Sequence, residues 1–397
     1  MHRIYAEIWE ADTKNPQSLH NRGFLVRLET IKKKIERVMM RCEDRRSSGL
    51  FEILLHALSL IYGGVIRLRI LFYGYGLFTS RKLPCIVISV GNITVGGVGK
   101  TPVSVYVLDL LRGLGYNVAA ISRGYKGKIH KHGGVVSDGR KLYMDPTAAG
   151  DEPYLITDRL RDVPVLIGRN RFKMGQTAIR RFSTQVLVMD DCFQHLQLDR
   201  DIDLLLLDSE TPFGNRHCIP RGPLREPVAG VKRASAIVLT RQRDEVPPAR
   251  ADLEKEIGSV PIPVFHCRHM PAGLVIAGSE SSLQLDFLKG RRLFAFSGIS
   301  RNDSFRRTVT DLGGSVDAFA EFFDHHPYST EDLGFIWEKA SALEVDNLIT
   351  TEKDYVRIRN QFPESPQLLV LQISISFGKD KDPFERYLKD RVSRLTG

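Results

Sequence analysis

The stretch SVGNITVGGVGKTP, residues 89–102, gathers four glycines, a lysine and two threonines. Its close, Gly99-Lys100-Thr101, matches the end of the phosphate-binding pattern G-x-x-x-x-G-K-[ST]. Its start does not match, because Thr94 stands where the first glycine belongs. An apolar run (CIVISV, 85–90) precedes the turn and a helix-patterned segment (103–114) follows it. A glycine-rich turn in that context sets backbone N–H groups and the positive end of a helix against an anion. Lys100 would reach the β/γ-phosphates of a nucleotide, and Thr101 would ligate Mg²⁺. Gly96, Gly97, Val98 and Gly99 would line the close approach, and Pro102 suits the first turn of a helix. The plain alternative is an incidental glycine turn. A partition-type ATPase loop carries a further lysine where this chain has Val95, which argues against that group.

Carboxylates supply the second part of the chemistry. QVLVMDDCFQH, 185–195, reads as a buried strand ending in Asp190-Asp191. That is the position of a Mg²⁺ ligand beside a phosphate loop; a simple acidic turn is the alternative. Gln194 and His195 follow and would orient the metal shell or the phosphates, although His195 reads equally well as a structural histidine. GDEP, 150–153, places Asp151 and Glu152 in a loop, where carboxylates are ordinarily solvated. FFDHHPYS, 322–329, lacks zinc-site spacing; a histidine there paired with a carboxylate would serve as a general base. RGPLREP (221–227, with Arg225) and GRNRFKMG (168–175) offer arginines for phosphate contacts or surface charge. TTEKDYV, 350–356, reads as the start of a helix.

These residues need a scaffold. From residue 84 onward, continuous apolar β-branched runs alternate with helical segments, the pattern of buried parallel strands with crossovers. Strands are expected at 85–90, 117–122, 163–168, 185–190, 202–208 and 235–240. Two short strands, 263–270 and 273–278, read as a ribbon. A second α/β unit starts near residue 290, with strands at 293–297, 316–322, 347–351 and 368–376. Upstream, residues 51–78 place Leu54, Leu58, Ile61, Val65, Leu68 and Phe72 on one helical face. Glu52, His56, Ser59, Gly63 and Arg67 share another. With Arg67, Arg69, Arg81 and Lys82 close by, and Tyr62, Tyr73 and Tyr75 placed for headgroup level, an interfacial membrane helix fits. A helix packed on the protein's own core is the alternative.

The bulk numbers agree. The 397 residues carry a net charge of +10. Residues 1–90 hold 15 Lys/Arg against 8 Asp/Glu, so most of the excess lies near the start and suits an anionic surface. The five cysteines (Cys42, Cys85, Cys192, Cys218, Cys267) are widely spaced without C-x-x-C, which points away from a disulfide framework or zinc site. Residues 1–50 are too charged for a cleavable signal peptide.

In this order, SVGNITVGGVGKTP, SRGYKG, GDEP, DDCFQH, LDRDIDLLLLD, FGN, PRGPLREP, DHHPY and TTEKD resemble the tetraacyldisaccharide 4′-kinase family of lipid A synthesis. The match runs from about Leu54 to about Ile358. The resemblance implies an ATP- and Mg²⁺-dependent kinase that phosphorylates the 4′-hydroxyl of a tetraacyldisaccharide 1-phosphate. It implies work at the cytoplasmic face of a bacterial inner membrane, and no nucleic-acid partner. Asp151 and His325 would together activate the hydroxyl. Asp190, Asp191 and Glu226 would serve the metal with Thr101. Arg123 and Tyr125 would contact substrate, with Glu152, Gln194, His195 and Arg225 nearby. Thr94 belongs to the nucleotide loop.

The expected fold is α/β: two Rossmann-like P-loop-type α/β/α units with an N-terminal amphipathic membrane helix. The expected division is an extension (1–50), the membrane-associated helix (51–83), the nucleotide-binding kinase domain (84–262), a linker ribbon (263–289) and a smaller α/β domain (290–397). This chain departs from the family in three places. Cys192 replaces a glycine, so a turn needing φ > 0 would be strained there. GISRND (298–303) replaces a glycine-isoleucine-x-asparagine-proline stretch, and residues 1–50 match nothing in the family. The competing functions are a P-loop ATPase or switch without a lipid acceptor, and a basic nucleic-acid module; for the latter no RNA- or DNA-reading motif is seen.

Overall fold

In this computed structural model, the residues described are 34–35, 38–39, 49–125, 127–129, 131–241, 249–258, 260–279, 281–359, 361 and 366–396. Most of the expected 1–50 extension, including Cys42, lies outside them. The chain forms two compact units, one of residues 1–67 and 213–227, the other of 68–212 and 228–397.

Helix α1 (Leu50–Gly74) begins in the first unit and ends in the second. It is long and apolar enough to cross a membrane by length and composition. Leu50, Ile53, Leu54, Leu58, Ile61 and Val65 are exposed. Leu55, Ser59 and Gly63, spaced at four residues, form the buried stripe. The Ser59 hydroxyl donates to the Cys218 carbonyl (2.7 Å) and Tyr62 donates to the Arg225 carbonyl (2.9 Å). A Cβ on Gly63 would lie 3.5 Å from Cys218 Sγ, so the glycine lets the 213–227 segment come close. The helix therefore packs its small, polar face and leaves its apolar face uncovered among the described residues. Tyr62, expected at headgroup level, is tied to protein backbone instead.

The second unit holds two sheets. The first contains β1 (Ile86–Asn92), β2 (Val118–Ser122), β3 (Gly134–Asp138), β4 (Pro164–Ile167), β5 (Val186–Asp190), β6 (Ile202–Asp208), β7 (Ala236–Thr240) and β8 (Val264–His266). Their order is β3-β4-β2-β5-β1-β6-β7-β8, all parallel except β3. The chain moves outward from β1 to one side, returns at β5 and continues on the other side at β6. The carboxyl end of β1 is thus a reversal point, where open α/β sheets bind ligands. Strands β1, β2, β5, β6 and β7 are buried along their whole length, which explains their unbroken apolar sequences.

The second sheet contains β9 (Arg268–Ile276), β10 (Ser282–Leu283), β11 (Arg292–Ser297), β12 (Ser315–Glu321), β13 (Asn347–Thr351) and β14 (Leu368–Ser376), in the order β10-β9-β14-β13-β11-β12. The segment read as a ribbon feeds both sheets: β8 pairs with β7, while β9 runs antiparallel along β14. The helices that matter for the site are α2 (Lys100–Gly113), α3 (Asp151–Arg159), α4 (Arg171–Phe182) and α5 (Glu352–Ile358). A last helix, α6 (Lys381–Thr396), returns to the first sheet, where Phe384, Leu388 and Val392 join the core formed with Ile88, Ile202 and Val238.

Candidate active site

The 89–102 stretch is a strand, a loop and a helix, and its glycines have distinct tasks. Gly91 lies in β1, where a Cβ would come within 2.7 Å of the Phe193 backbone nitrogen. The early glycine thus clears a path for the DDCFQH turn. Gly96 and Gly99 take φ of 106° and 82°, the left-handed region. A Cβ on Gly99 would strike the ring of His269 on β9. Gly97 faces Ser300 in the same way, and its carbonyl accepts from Arg241. The Asn92 amide donates to the Thr94 carbonyl (2.8 Å), and Gln194 Nε2 donates to the Asn92 carbonyl (2.7 Å). Gln194 therefore braces the entry to the loop. Val98 and Thr94 are buried.

Asp190, at the end of β5, is fully buried beside this loop. Its carboxylate accepts from Thr101 Oγ1 and Ser104 Oγ, both at 3.0 Å. Burial pushes its pKa up, as do the nearby Glu152 and Asp191 carboxylates, against the pull of Lys100. Lys100 Nζ lies 3.5 Å from Asp191. The left-handed residue in this turn is Asp191 (φ 51°), not Cys192. Cys192 is buried in the cluster with Leu83, Val87 and Met189, so the strain expected at the substituted glycine is absent there. His195 is pushed down to about 4 by burial and by Arg171, Arg200, Arg69 and Arg123, so its imidazole is neutral at ordinary pH.

Asp151 is not in a loop. It is the first residue of α3, capped by Gly150 at φ 90°, with Glu152 beside it in the same first turn. Helix N-termini favour carboxylates, which is why a turn-like sequence begins a helix here. Its Oδ2 lies 2.9 Å from His325 Nδ1. His325, after β12, has φ of 62°. Such a conformation persists only where its surroundings hold it. Arg357 of α5 supplies that hold: Nε donates to Asp151 Oδ2 (2.8 Å) and a terminal nitrogen donates to Asp354 (2.9 Å). Asp354 is fully buried and also accepts from the Gly298 N–H (3.0 Å) and Thr351 (2.6 Å). Although burial raises its pKa, the contacts with His325 and Arg357 bring Asp151 below its ordinary value. The neighbouring His326 bonds Asp332 (2.8 Å) and stacks on Phe322, a structural place. The Tyr125 ring stands edge-on to His325 at 6.1 Å; Arg123, two residues earlier, is exposed.

Lys100, Thr101, Glu152, Arg241, Arg301 and Lys353 line one cleft of about 840 Å³. Asp208, at the end of β6, joins Arg241 (2.6 Å) to Arg301 (2.8 Å) and so ties the loop after β11 to the first sheet. Glu226 and Arg225 lie in the 213–227 segment of the other unit, where Glu226 is buried. Sequence reading passed over Lys353, Asp354, Arg357, Asp208, Arg241 and Arg301. Lys353 and Arg357 are four apart in TTEKDYVRIR, and that shared helical face was the available signal.

A phosphate loop with a buried carboxylate at its side, and a histidine after β12 paired with the carboxylate that begins α3, define a nucleotide-dependent phosphotransferase. A family model described as tetraacyldisaccharide-1-P 4′-kinase matches residues 51–393. Tetraacyldisaccharide 4′-kinase of Desulfatibacillum aliphaticivorans is 40% identical over 373 residues, covering 92% of this chain and 99% of the relative. That of Syntrophus aciditrophicus is 40% identical over 322 residues, covering 79% and 86%. The crystal structure of LpxK from Aquifex aeolicus in complex with ATP superposes with a TM-score of 0.69 at 30% identity, covering 86% of this chain and 100% of that one. The chain belongs to the tetraacyldisaccharide-1-P 4′-kinase family.

Proposed function

We infer that the protein transfers the γ-phosphate of ATP to the 4′-hydroxyl of tetraacyldisaccharide 1-phosphate, in lipid A biosynthesis. The Asp151–His325 hydrogen bond carries the mechanistic part of this reading. Nδ1–H donates to Asp151, which leaves Nε2 as the acceptor for the hydroxyl proton. Asp151 fixes the tautomer and favours the imidazolium that forms. The hydroxyl oxygen bonds to the γ-phosphorus, the bond to the β,γ-bridging oxygen breaks, and ADP leaves with that electron pair. Lys100 and the N–H groups of the 96–101 loop hold the phosphates.

Mg²⁺ fits the donors present. A hydroxyl (Thr101) and two carboxylates (Asp190, Asp191) are hard oxygen ligands in an acid-crowded pocket. Among the described residues no group of three His, Cys, Asp or Glu forms a metal cage. When bound, Mg²⁺ neutralises charge on the β- and γ-phosphate oxygens. Glu226 is a further candidate ligand. Arg123, Tyr125 and Arg225 are candidate lipid contacts, with Glu152 and His195 beside the site.

The exposed apolar face of α1 supports peripheral or monotopic seating on the membrane that holds the acceptor, the cytoplasmic face of the inner membrane. The decisive assay follows label from γ-labelled ATP into extracted disaccharide lipid, with Lys100→Ala as control. Label in the lipid that is lost in the control supports the kinase. Label appearing only in free phosphate would mean an ATPase without a lipid acceptor.

A further inference from the structure

The general-base role of His325 belongs to Nε2, and that atom already has a neighbour. Lys353 Nζ, from the first turn of α5, lies 3.1 Å from it. The same ammonium donates to Asp324 (3.0 Å), whose carboxylate stands 4.0 Å from Nε2. On the other side of the ring, Nδ1 faces Asp151 at 2.9 Å and Arg357 at 3.3 Å. With the proton on Nδ1, His325 donates to Asp151 and accepts at Nε2 from Lys353. With the proton on Nε2, a bare Nδ1 could accept from Arg357, but the Nε2–H would face the Lys353 ammonium at 3.1 Å. The geometry therefore favours the Nδ1–H form. Lys353 thus holds open the lone pair that the reaction needs. It does so from within the cleft that Lys100 and Thr101 also line.

A lysine kept only for folding has no reason to sit on the base's accepting atom. Its ammonium stands where the acceptor hydroxyl would approach Nε2. Once the hydroxyl begins to lose its proton, the same cation faces developing negative charge on the attacking and transferred oxygens. We propose that Lys353 is a catalytic residue of the transfer. It caps Nε2 of His325 in the resting protein, yields that position to the substrate hydroxyl while keeping Asp324, and then stabilises the oxygen being phosphorylated. This rests on His325 being the base, as inferred above. It adds a second lysine to the site, on the acceptor side, opposite in task to Lys100 on the nucleotide side.

The test uses the full chain with ATP and extracted tetraacyldisaccharide 1-phosphate. Lys353→Met is expected to lower kcat by about 10²-fold or more. The KM for ATP is expected to stay within about threefold, because no ground-state nucleotide contact is lost. Lys353→Arg keeps the cation and is expected to recover part of the lost kcat. If Lys353→Met does not fold, Lys353→Cys assayed before and after alkylation with 2-bromoethylamine reads the same two quantities, against wild type treated likewise. A kcat near wild type in Lys353→Met overturns the proposal. So does a lost kcat that neither Lys353→Arg nor the aminoethylated cysteine recovers, which makes Lys353 a structural partner of Asp324. His325→Ala at full activity would instead remove the base itself, a failure distinguishable from that of Lys353.

Discussion

Asp151 and His325 stand 174 positions apart in sequence and share one hydrogen bond. Replacing either by alanine is expected to lower kcat by about 10²- to 10⁴-fold, the range of positioned acid–base groups. Nucleotide affinity should be unchanged, since in the proposed reading the phosphates rest on the 96–101 loop. Single-turnover transfer beside an ATP titration checks both. Cys192 makes a different prediction. Because the left-handed residue is Asp191 and Cys192 fills core, Cys192→Gly is expected to cost stability, about 1–2 kcal/mol, rather than relieve strain. Urea unfolding of the two forms decides it. At this scale the phosphate loop, the acid pair and DHH were legible, because each has a local pattern. The Lys353–Asp354–Arg357 face was not, since its meaning depends on what β12 and α3 bring to it. Nor did the sequence show that GDEP starts a helix, because Gly150 as a cap looks the same as Gly150 in a turn.

Helix α1 has an unusual distribution of surface. Leu50, Ile53, Leu54, Leu58, Ile61 and Val65 face outward, and Leu55, Ser59 and Gly63 face protein. Leu54→Glu with Ile61→Glu is therefore expected to weaken binding to anionic vesicles while leaving the urea midpoint in place. Leu55→Glu should do the reverse, because a carboxylate would be buried without a partner at a cost of about 3 kcal/mol. Cosedimentation and unfolding curves on the two variants separate the faces. The amphipathic spacing was legible from sequence, but which face met protein was set by the 213–227 segment, far away in the chain. The buried strands were legible for the reason that they are buried on both sides. Strand β3 was missed: it is short, half-buried and antiparallel, so it lacks a continuous apolar run.

At the scale of the whole molecule, two of the described histidines resist protonation. His195 and His269 are both pushed to about 4 from an ordinary 6.5, mainly by burial and then by arginines. In the unfolded chain they take up protons near pH 6.5, while in the fold they wait until about pH 4. Between those values the unfolded state binds more protons, so stability rises with pH. Stability is expected to be full above about pH 6.5 and to fall as pH drops toward 4, each histidine contributing on the order of 3 kcal/mol. Urea titrations across that range check the slope, and His195→Gln or His269→Gln should each flatten it. Acid loss of function would then follow unfolding, which unfolding curves at the same pH values check directly.

The return of α6 to the first sheet has a consequence for how the chain is made. Phe384, Leu388 and Val392 complete the same core as Ile88 and Val107, yet they are synthesised nearly three hundred residues later. During translation the phosphate-loop sheet is finished long before the helix that covers part of it. Until residues 381–396 emerge, that patch is bare apolar surface on a ribosome-bound nascent chain. The nucleotide site and the protein's exposure to chaperones and proteases are thereby linked through one late helix.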